Sequence, residues 1–124
     1  MKTHLRGSGD FHRVYRMGKR YECFLITAFV LPNKLPYHRL GITASRKALG
    51  NAVCRNRAKR LLRESFRLTA VQRATLKTHY DWVLNGRRSL LTSKVDKPLE
   101  EFKKIILSVA KAEVVGSVNE SKLA

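Results

Sequence analysis

The sequence predicts an α+β fold: three helices packed on a four-stranded mixed sheet, in the order α-β-β-β-α-β-α. Three observations predict it. Segments with helical period alternate with β-branched and aromatic runs along the 124 residues, and helical patterns stand at both ends and in the middle. A strand candidate follows the middle helix, and a strand–helix–strand succession places a parallel pair inside an otherwise antiparallel sheet. No repeat, low-complexity tract or linker divides the chain, whose length suits one modest core. Residues 1–116 therefore read as a single domain and 117–124 as a flexible tail beyond Gly116.

Asp10 is placed to cap a short first helix, with Phe11, Val14 and Tyr15 on one face and Gly18 ending it. The run Tyr21–Leu31 carries Phe24, Ile26, Thr27, Phe29 and Val30, residue types that favour strands. It supplies one strand, or two if it breaks. Two prolines make 32–36 a loop. Arg39–Ala44 is the next extended segment, antiparallel to the first because the connection is short. Ser45–Asn51 is a polar connection. Asn51 caps the clearest helix of the chain, Ala52 to about Leu68. A looser, partly helical link covers 69–79, and Tyr80–Leu84 is the last strand, with Asn85-Gly86 as its exit or a turn. Arg87–Lys97 reads as a polar loop. Pro98 suits the first turn of a closing helix, Leu99 to about Val114, whose Leu99, Phe102, Ile105, Ile106 and Val109 form one stripe.

Charge narrows the function. The chain holds 26 Lys and Arg against 9 Asp and Glu, a net of +17. Residues 95–124 are balanced: Lys97, Lys103, Lys104, Lys111 and Lys122 against Asp96, Glu100, Glu101, Glu113 and Glu120. The excess therefore lies in residues 1–94, whose acids are Asp10, Glu22, Glu64 and Asp81. So much like charge opposes compaction, and a polyanionic partner explains its presence. No stretch approaches the roughly 20 apolar residues of a spanning helix. The N-terminal Met1–Arg6 leads into no apolar core of the signal-peptide kind. Cys23 and Cys54 lie in no metal-type spacing and read as reduced thiols of a cytoplasmic protein.

The middle helix focuses that charge. At about 100° per residue, Cys54, Ala58, Leu61, Leu62, Ser65 and Leu68 share one arc. Asn56, Lys59, Arg60, Arg63 and Arg67 share the opposite arc, with Arg55 and Arg57 flanking both. Cations on successive turns stand about 5–6 Å apart, close to the phosphate spacing of a nucleic acid strand. Arginine presents planar, bidentate donors to phosphate. A solvated basic face or a membrane-surface helix has the same pattern, but small residues on the apolar arc suit packing on protein better than insertion.

Three separated segments carry a resemblance. Gly41-Ile42-Thr43-Ala44-Ser45-Arg46-Lys47 and Gly50-Asn51-Ala52-Val53 precede Arg55-Asn56-Arg57-Ala58-Lys59-Arg60-Leu61-Leu62-Arg63-Glu64-Ser65-Phe66-Arg67. Upstream stands Asp10-Phe11-His12-Arg13-Val14-Tyr15-Arg16-Met17-Gly18. Together they resemble the bacterial ribonuclease P protein component, over about residues 4–110. The resemblance implies a left-handed β-α-β crossover around the basic helix, where general rules favour the right hand. It implies a protein, monomeric in a 1:1 complex with ribonuclease P RNA, that assists removal of the 5′ leader of precursor tRNA. The RNA would do the chemistry with Mg²⁺; the protein would bind no cofactor of its own. Carried over by position, Arg46, Lys47, Arg55, Asn56, Arg57, Lys59, Arg60, Arg63 and Arg67 are expected to bind RNA, and Phe11 and Tyr15 the leader. Core packing of the first helix is the other reading of those two aromatics. The sequence departs from the family's pattern at Asn85-Gly86, where an apolar residue or Ala is usual before an Arg.

The acids of residues 1–94 are scattered, and His4, His12, His38 and His79 show no pairing, so neither a carboxylate metal cluster nor a histidine acid–base pair is legible. A ribosomal or other structural RNA-binding protein shares the size and charge and is the alternative.

Overall fold

A computed structural model of the chain describes residues 4–94 and 96–123, with 116–123 as backbone alone. The elements are α1 (Gly7–Met17), β1 (Lys19–Glu22), β2 (Ile26–Pro32), β3 (Arg39–Thr43), α2 (Arg46–Leu49), α3 (Ala52–Arg67), α4 (Ala70–Ala74), β4 (Tyr80–Gly86), a 3₁₀ helix (Arg88–Thr92) and α5 (Asp96–Leu123). The three expected helices are present as the long ones, joined by the short α2 and α4. The sheet has four strands in the order β1-β2-β4-β3. β1 and β2 are antiparallel, as are β2 and β4, while β3 and β4 are parallel.

β4 explains this order. Tyr80 through Leu84 are all buried, and Trp82, Val83 and Leu84 completely so. A run apolar on both faces belongs in the middle of a sheet. β4 accordingly inserts between β2 and β3, which run in opposite senses, as expected, but do not pair. The β2–β3 loop must therefore span the start of β4, and polar side chains hold it there. The Asn33 side chain accepts from Leu35 N (2.8 Å) and donates to Tyr37 O (3.1 Å) and to Asp81 (3.0 Å).

His38 completes that clamp. Its Nδ1 accepts from Tyr80 N (3.0 Å) and from the Trp82 indole (3.1 Å). Only an imidazole unprotonated at Nδ1 can do this. Burial above all, then the charges of Arg73 and His79, lowers its pKa to about 4. The unfolded chain takes up this proton near pH 6.5, where the folded one refuses it. Stability is thus undiminished above pH 6.5 and falls as pH drops from 6.5 toward 4. The expected loss is up to about 3 kcal/mol. Urea unfolding followed by Trp82 fluorescence should show it, and His38→Asn should flatten that part of the profile.

The Tyr21–Leu31 run does break, at Cys23–Leu25, because α5 reaches into it. The Glu101 carboxylate accepts from Leu25 N (2.9 Å) and Ile26 N (3.0 Å), so these groups serve the bend and not a continuous ladder. Both cysteines are free thiols.

Several boundaries move. The first helix starts one turn earlier than Asp10, at Gly7 after an extended Arg6 that makes no side-chain cap; Asp10 is in its first turn instead. Gly18 does end it, for reasons of space: a Cβ there would lie 2.5 Å from Val14 O. Leu68, expected on the buried arc of α3, is 45 % exposed, because it caps the helix where the chain turns toward α4. The loop expected at 87–97 contains the 3₁₀ helix, whose Leu90 is fully buried beneath Gly86. α5 passes its expected end near Val114 and runs to Leu123. Side chains of 116–123 and the whole of Ala124 lie outside the described residues, and the expectation of a flexible tail falls there.

The sheet separates two apolar clusters. On one face Val14 of α1 and Leu5, just before the helix, pack on Val83, with Phe11, Tyr15, Phe29 and Leu31 around them. On the other, α3 and α5 bury Ala58, Leu61, Leu62, Phe102, Ile105, Ile106 and Val109 against Ile26, Ala28, Trp82 and Leu84. Strand alternation sends Trp82 and Leu84 one way and Val83 the other.

Candidate RNA interface

α3 is capped as its sequence suggests: Asn51 Oδ1 accepts from Cys54 N at 3.0 Å. Its apolar arc is buried at Ala58, Leu61, Leu62 and Ser65, so its polar arc must face out. Asn56, Arg57, Arg60, Arg63 and Arg67 are exposed and Lys59 is half-buried. Just upstream, Ser45 caps α2 through Ala48 N (3.2 Å) and leaves Arg46 and Lys47 exposed.

Not all of these cations are free. The Arg55 guanidinium donates to Ala44 O (3.0 Å), tying α3 to the end of β3. Arg57 donates to Leu91 O (2.7 Å) and Ser93 O (3.3 Å), tying α3 to the 3₁₀ helix. These acceptors are neutral, so both charges persist. Arg67 is paired with Glu64 along the helix, which offsets its charge. The side chains of Arg46, Lys47, Lys59, Arg60 and Arg63 make no ion pair or hydrogen bond among the described residues. The basic column is thus real, but its flanks also serve the fold.

The second feature is a cleft on the opposite face of the sheet. Ser8, Phe11, His12 and Tyr15 of α1 and Thr43 of β3 line a cavity of about 290 Å³. Phe11 lies over Gly41, where an added Cβ would meet its ring at 2.8 Å. The Tyr15 ring meets Phe29 edge-on, with centroids 4.8 Å apart. Its hydroxyl donates to Asn85 Oδ1 (2.9 Å) and shares a hydrogen bond with Thr43 Oγ1 (2.7 Å). Both aromatics are half-buried: each packs on the sheet and still shows a face to the cleft.

Sequence reasoning missed the floor of this cleft. Phe29, Thr43 and Asn85 stand on neighbouring strands with side chains on the α1 side. The signal was available in strand alternation, once β4 is placed between β2 and β3. Asn85 is neither turn nor exit but a paired strand residue opposite Thr27. Arg87, just past the strand, donates to Cys23 O (2.7 Å) and holds the β1–β2 bend.

A buried ion cluster fixes α1 over the sheet. Asp81 is fully buried and accepts from Arg39 at 2.8 and 2.7 Å, from Arg13 at 3.0 Å and from Asn33 at 3.0 Å. Burial alone would raise its carboxyl pKa. The hydrogen bonds from Arg39 and Asn33 and the charges of Arg39 and Arg13 outweigh that and hold it below the usual carboxylate range. Arg39 also lies 3.9 Å from Asp10.

Three more acids are engaged among the described residues. Glu22 faces Arg20 and Arg87, Glu100 faces Lys97, and Glu113 accepts from Lys77 N (3.1 Å) and the Tyr80 hydroxyl. Two features thus remain open to a partner, the cationic face of α3 and the aromatic cleft under α1. They meet where β3 ends, Thr43 lining one and Arg46 beginning the other.

The family model described as Ribonuclease P matches residues 1–110. The chain belongs to the ribonuclease P protein family. The ribonuclease P protein component of Clostridium botulinum (strain Loch Maree / Type A3) is 34% identical over 107 residues, covering 86% of this chain and 90% of the relative. That of Clostridioides difficile (strain 630) is 34% identical, covering 86% and 88%. Among solved structures, the RNase P protein of Staphylococcus aureus is similar with a TM-score of 0.73 at 27% identity, covering 90% of this chain and 97% of that one. The RNase P protein from Thermotoga maritima is similar with a TM-score of 0.67 at 26% identity, covering 88% and 96%. As a ribonuclease P protein component the chain is part of the endoribonuclease that matures the 5′ end of tRNA, and its partner is ribonuclease P RNA. No helix among the described residues is long and apolar enough to cross a membrane.

Proposed function

We propose that the exposed face of α3, with Arg46 and Lys47, lies against ribonuclease P RNA, and that the α1 cleft takes the 5′ leader of precursor tRNA in a cytoplasmic 1:1 ribonucleoprotein. The observation that carries this is electrostatic. Five cations in one stretch of chain, Arg46, Lys47, Lys59, Arg60 and Arg63, lack acidic partners among the described residues, while the nearby acids are spent elsewhere. An RNA surface supplies the missing counter-charge, and Asn56 adds an uncharged donor and acceptor for a phosphate or 2′-hydroxyl.

Catalysis belongs to the RNA in this reading, with Mg²⁺ held by RNA. Among the described residues no group of three His, Cys, Asp or Glu side chains is placed to hold a metal ion. The protein neutralises crowded phosphates and binds the leader.

The cleft supports leader binding through its two aromatics. Phe11 and Tyr15 can stack on successive bases without reading their identity. The test compares holoenzyme affinity for precursor tRNA with and without a leader. Tyr15→Ala is expected to cut the leader's advantage by about 5- to 100-fold, the value of one stacked base. Tyr15→Phe keeps the ring, loses the bonds to Asn85 and Thr43, and should fall between. Equal discrimination in wild type and Tyr15→Ala would remove the leader from this cleft.

A further inference from the structure

The bend Cys23–Leu25 holds Phe24 out in solvent, 75 % exposed. A lone exposed aromatic is commonplace, but the backbone beneath this one is fixed from three directions. Glu101 accepts from Leu25 N (2.9 Å) and Ile26 N (3.0 Å). Arg87 donates its backbone N–H to Leu25 O (2.9 Å) and its guanidinium to Cys23 O (2.7 Å). The Ser89 hydroxyl donates to Phe24 O. Much of the ordering that a partner would impose on this segment is therefore already in place.

Beside the ring opens a cavity of about 580 Å³, bordered by Phe24, Ser89, Lys94, Lys97 and Lys104. The two acids at its edge are engaged, Glu101 by backbone N–H groups and Glu100 by Lys97 at 3.8 Å. Lys94 and Lys104 have no acidic partner among the described residues. An exposed aromatic ring on a held backbone, flanked by free ammonium groups, matches a nucleobase with its neighbouring phosphates.

We propose that Phe24 is a stacking platform for an unpaired nucleotide of ribonuclease P RNA, with Lys94 and Lys104 on the flanking phosphates. The RNA subunit is favoured over the leader by position. The cavity lies on the α3 and α5 side of the sheet, away from the α1 cleft. The 3₁₀ helix connects it to α3 directly, since Arg57 donates to Leu91 O and Ser93 O and Ser89 donates to Phe24 O. The platform thus extends the cationic surface of α3, and it rests on the reading that α3 faces this RNA.

The experiment measures affinity of the full chain for ribonuclease P RNA at several salt concentrations. Phe24→Ala is expected to weaken binding about 5- to 100-fold, and Phe24→Tyr to stay near wild type, because stacking needs only a π-face. Lys94→Ala with Lys104→Ala should reduce the slope of log affinity against log salt by about 1.4. Discrimination between leader-bearing and leaderless precursor tRNA should not change. Wild-type affinity in Phe24→Ala overturns the proposal, as does equal weakening in Phe24→Tyr. A loss of leader discrimination at unchanged RNA affinity also overturns it and moves the ring to the substrate. Arg60→Ala with Arg63→Ala in the same assay separates the two levels. If that variant weakens binding and Phe24→Ala does not, the platform alone fails; if neither does, the α3 reading fails as well.

Discussion

Replacing Arg60 and Arg63 together with alanine is expected to weaken binding to ribonuclease P RNA by about 10- to 30-fold at 0.15 M salt, the value of two phosphate contacts. The mechanism is counterion release. Each cation seated on a phosphate displaces a condensed ion, so its loss removes about 0.7–0.9 from the slope of log affinity against log salt. The double variant should therefore show a slope shallower by about 1.4–1.8, with its deficit greatest at low salt and shrinking as salt rises. Folding should be untouched, since both side chains are exposed and neither has a partner among the described residues. Removing two like charges from one helix face relieves repulsion of a few tenths of a kcal/mol. Filter binding over a salt series, beside thermal unfolding, checks both halves. Arg67→Ala is the internal contrast: Glu64 already offsets that guanidinium, so its slope change should be smaller.

Asp81→Ala should cost the fold about 3 kcal/mol. It leaves Arg39, whose side chain is only 18% exposed, beside an empty acceptor, and strips Asn33 and Arg13 of their shared partner. The lower end of the usual range applies because Arg13 is 45% exposed and can turn to water. The sign of the pH dependence follows from the depressed carboxyl. The wild-type contribution is present above the unfolded-state value near 4 and disappears as pH falls through the lower folded value. That window lies below the one His38 occupies, so the two are separable in one titration. Asp81→Ala should lack the acid limb and keep the His38 limb. Function should fail selectively: with α1 loosened, leader discrimination declines before affinity for the RNA subunit does. Urea midpoints at pH 7, 5 and 3 and the two binding assays measure this.

The parts of the fold written in local pattern were legible in the sequence. α3 showed its buried arc and its cationic arc because both repeat with the helical period, and Asn51 and Gly18 act where composition placed them. Phe11, Val14 and Tyr15 share the face that packs on the sheet. Strand order was not legible, because pairing is a non-local choice and β3 and β2 look alike as neighbours of a short loop. The clue was Trp82-Val83-Leu84, a run apolar on both faces that marks a central strand. Missing that hid the cleft floor, since Phe29, Thr43 and Asn85 come together only when β4 lies between the other two. The double use of Arg55 and Arg57 was equally hidden. A guanidinium that binds a backbone carbonyl looks in sequence like one reserved for phosphate. Glu101 and Glu113 illustrate the converse, acids of a charge-balanced segment that each hold a distant backbone N–H.

The most direct measurement is cleavage of leader-bearing precursor tRNA by ribonuclease P RNA across a Mg²⁺ titration, with the protein, without it, and with the protein alone. If aligned cations offset RNA charge, adding the protein shifts cleavage to lower Mg²⁺, Arg60→Ala with Arg63→Ala gives back part of that shift, and the protein alone cuts nothing. An unchanged Mg²⁺ requirement, or leader removal by protein freed of RNA, would contradict an electrostatic helper and point to chemistry on the protein itself.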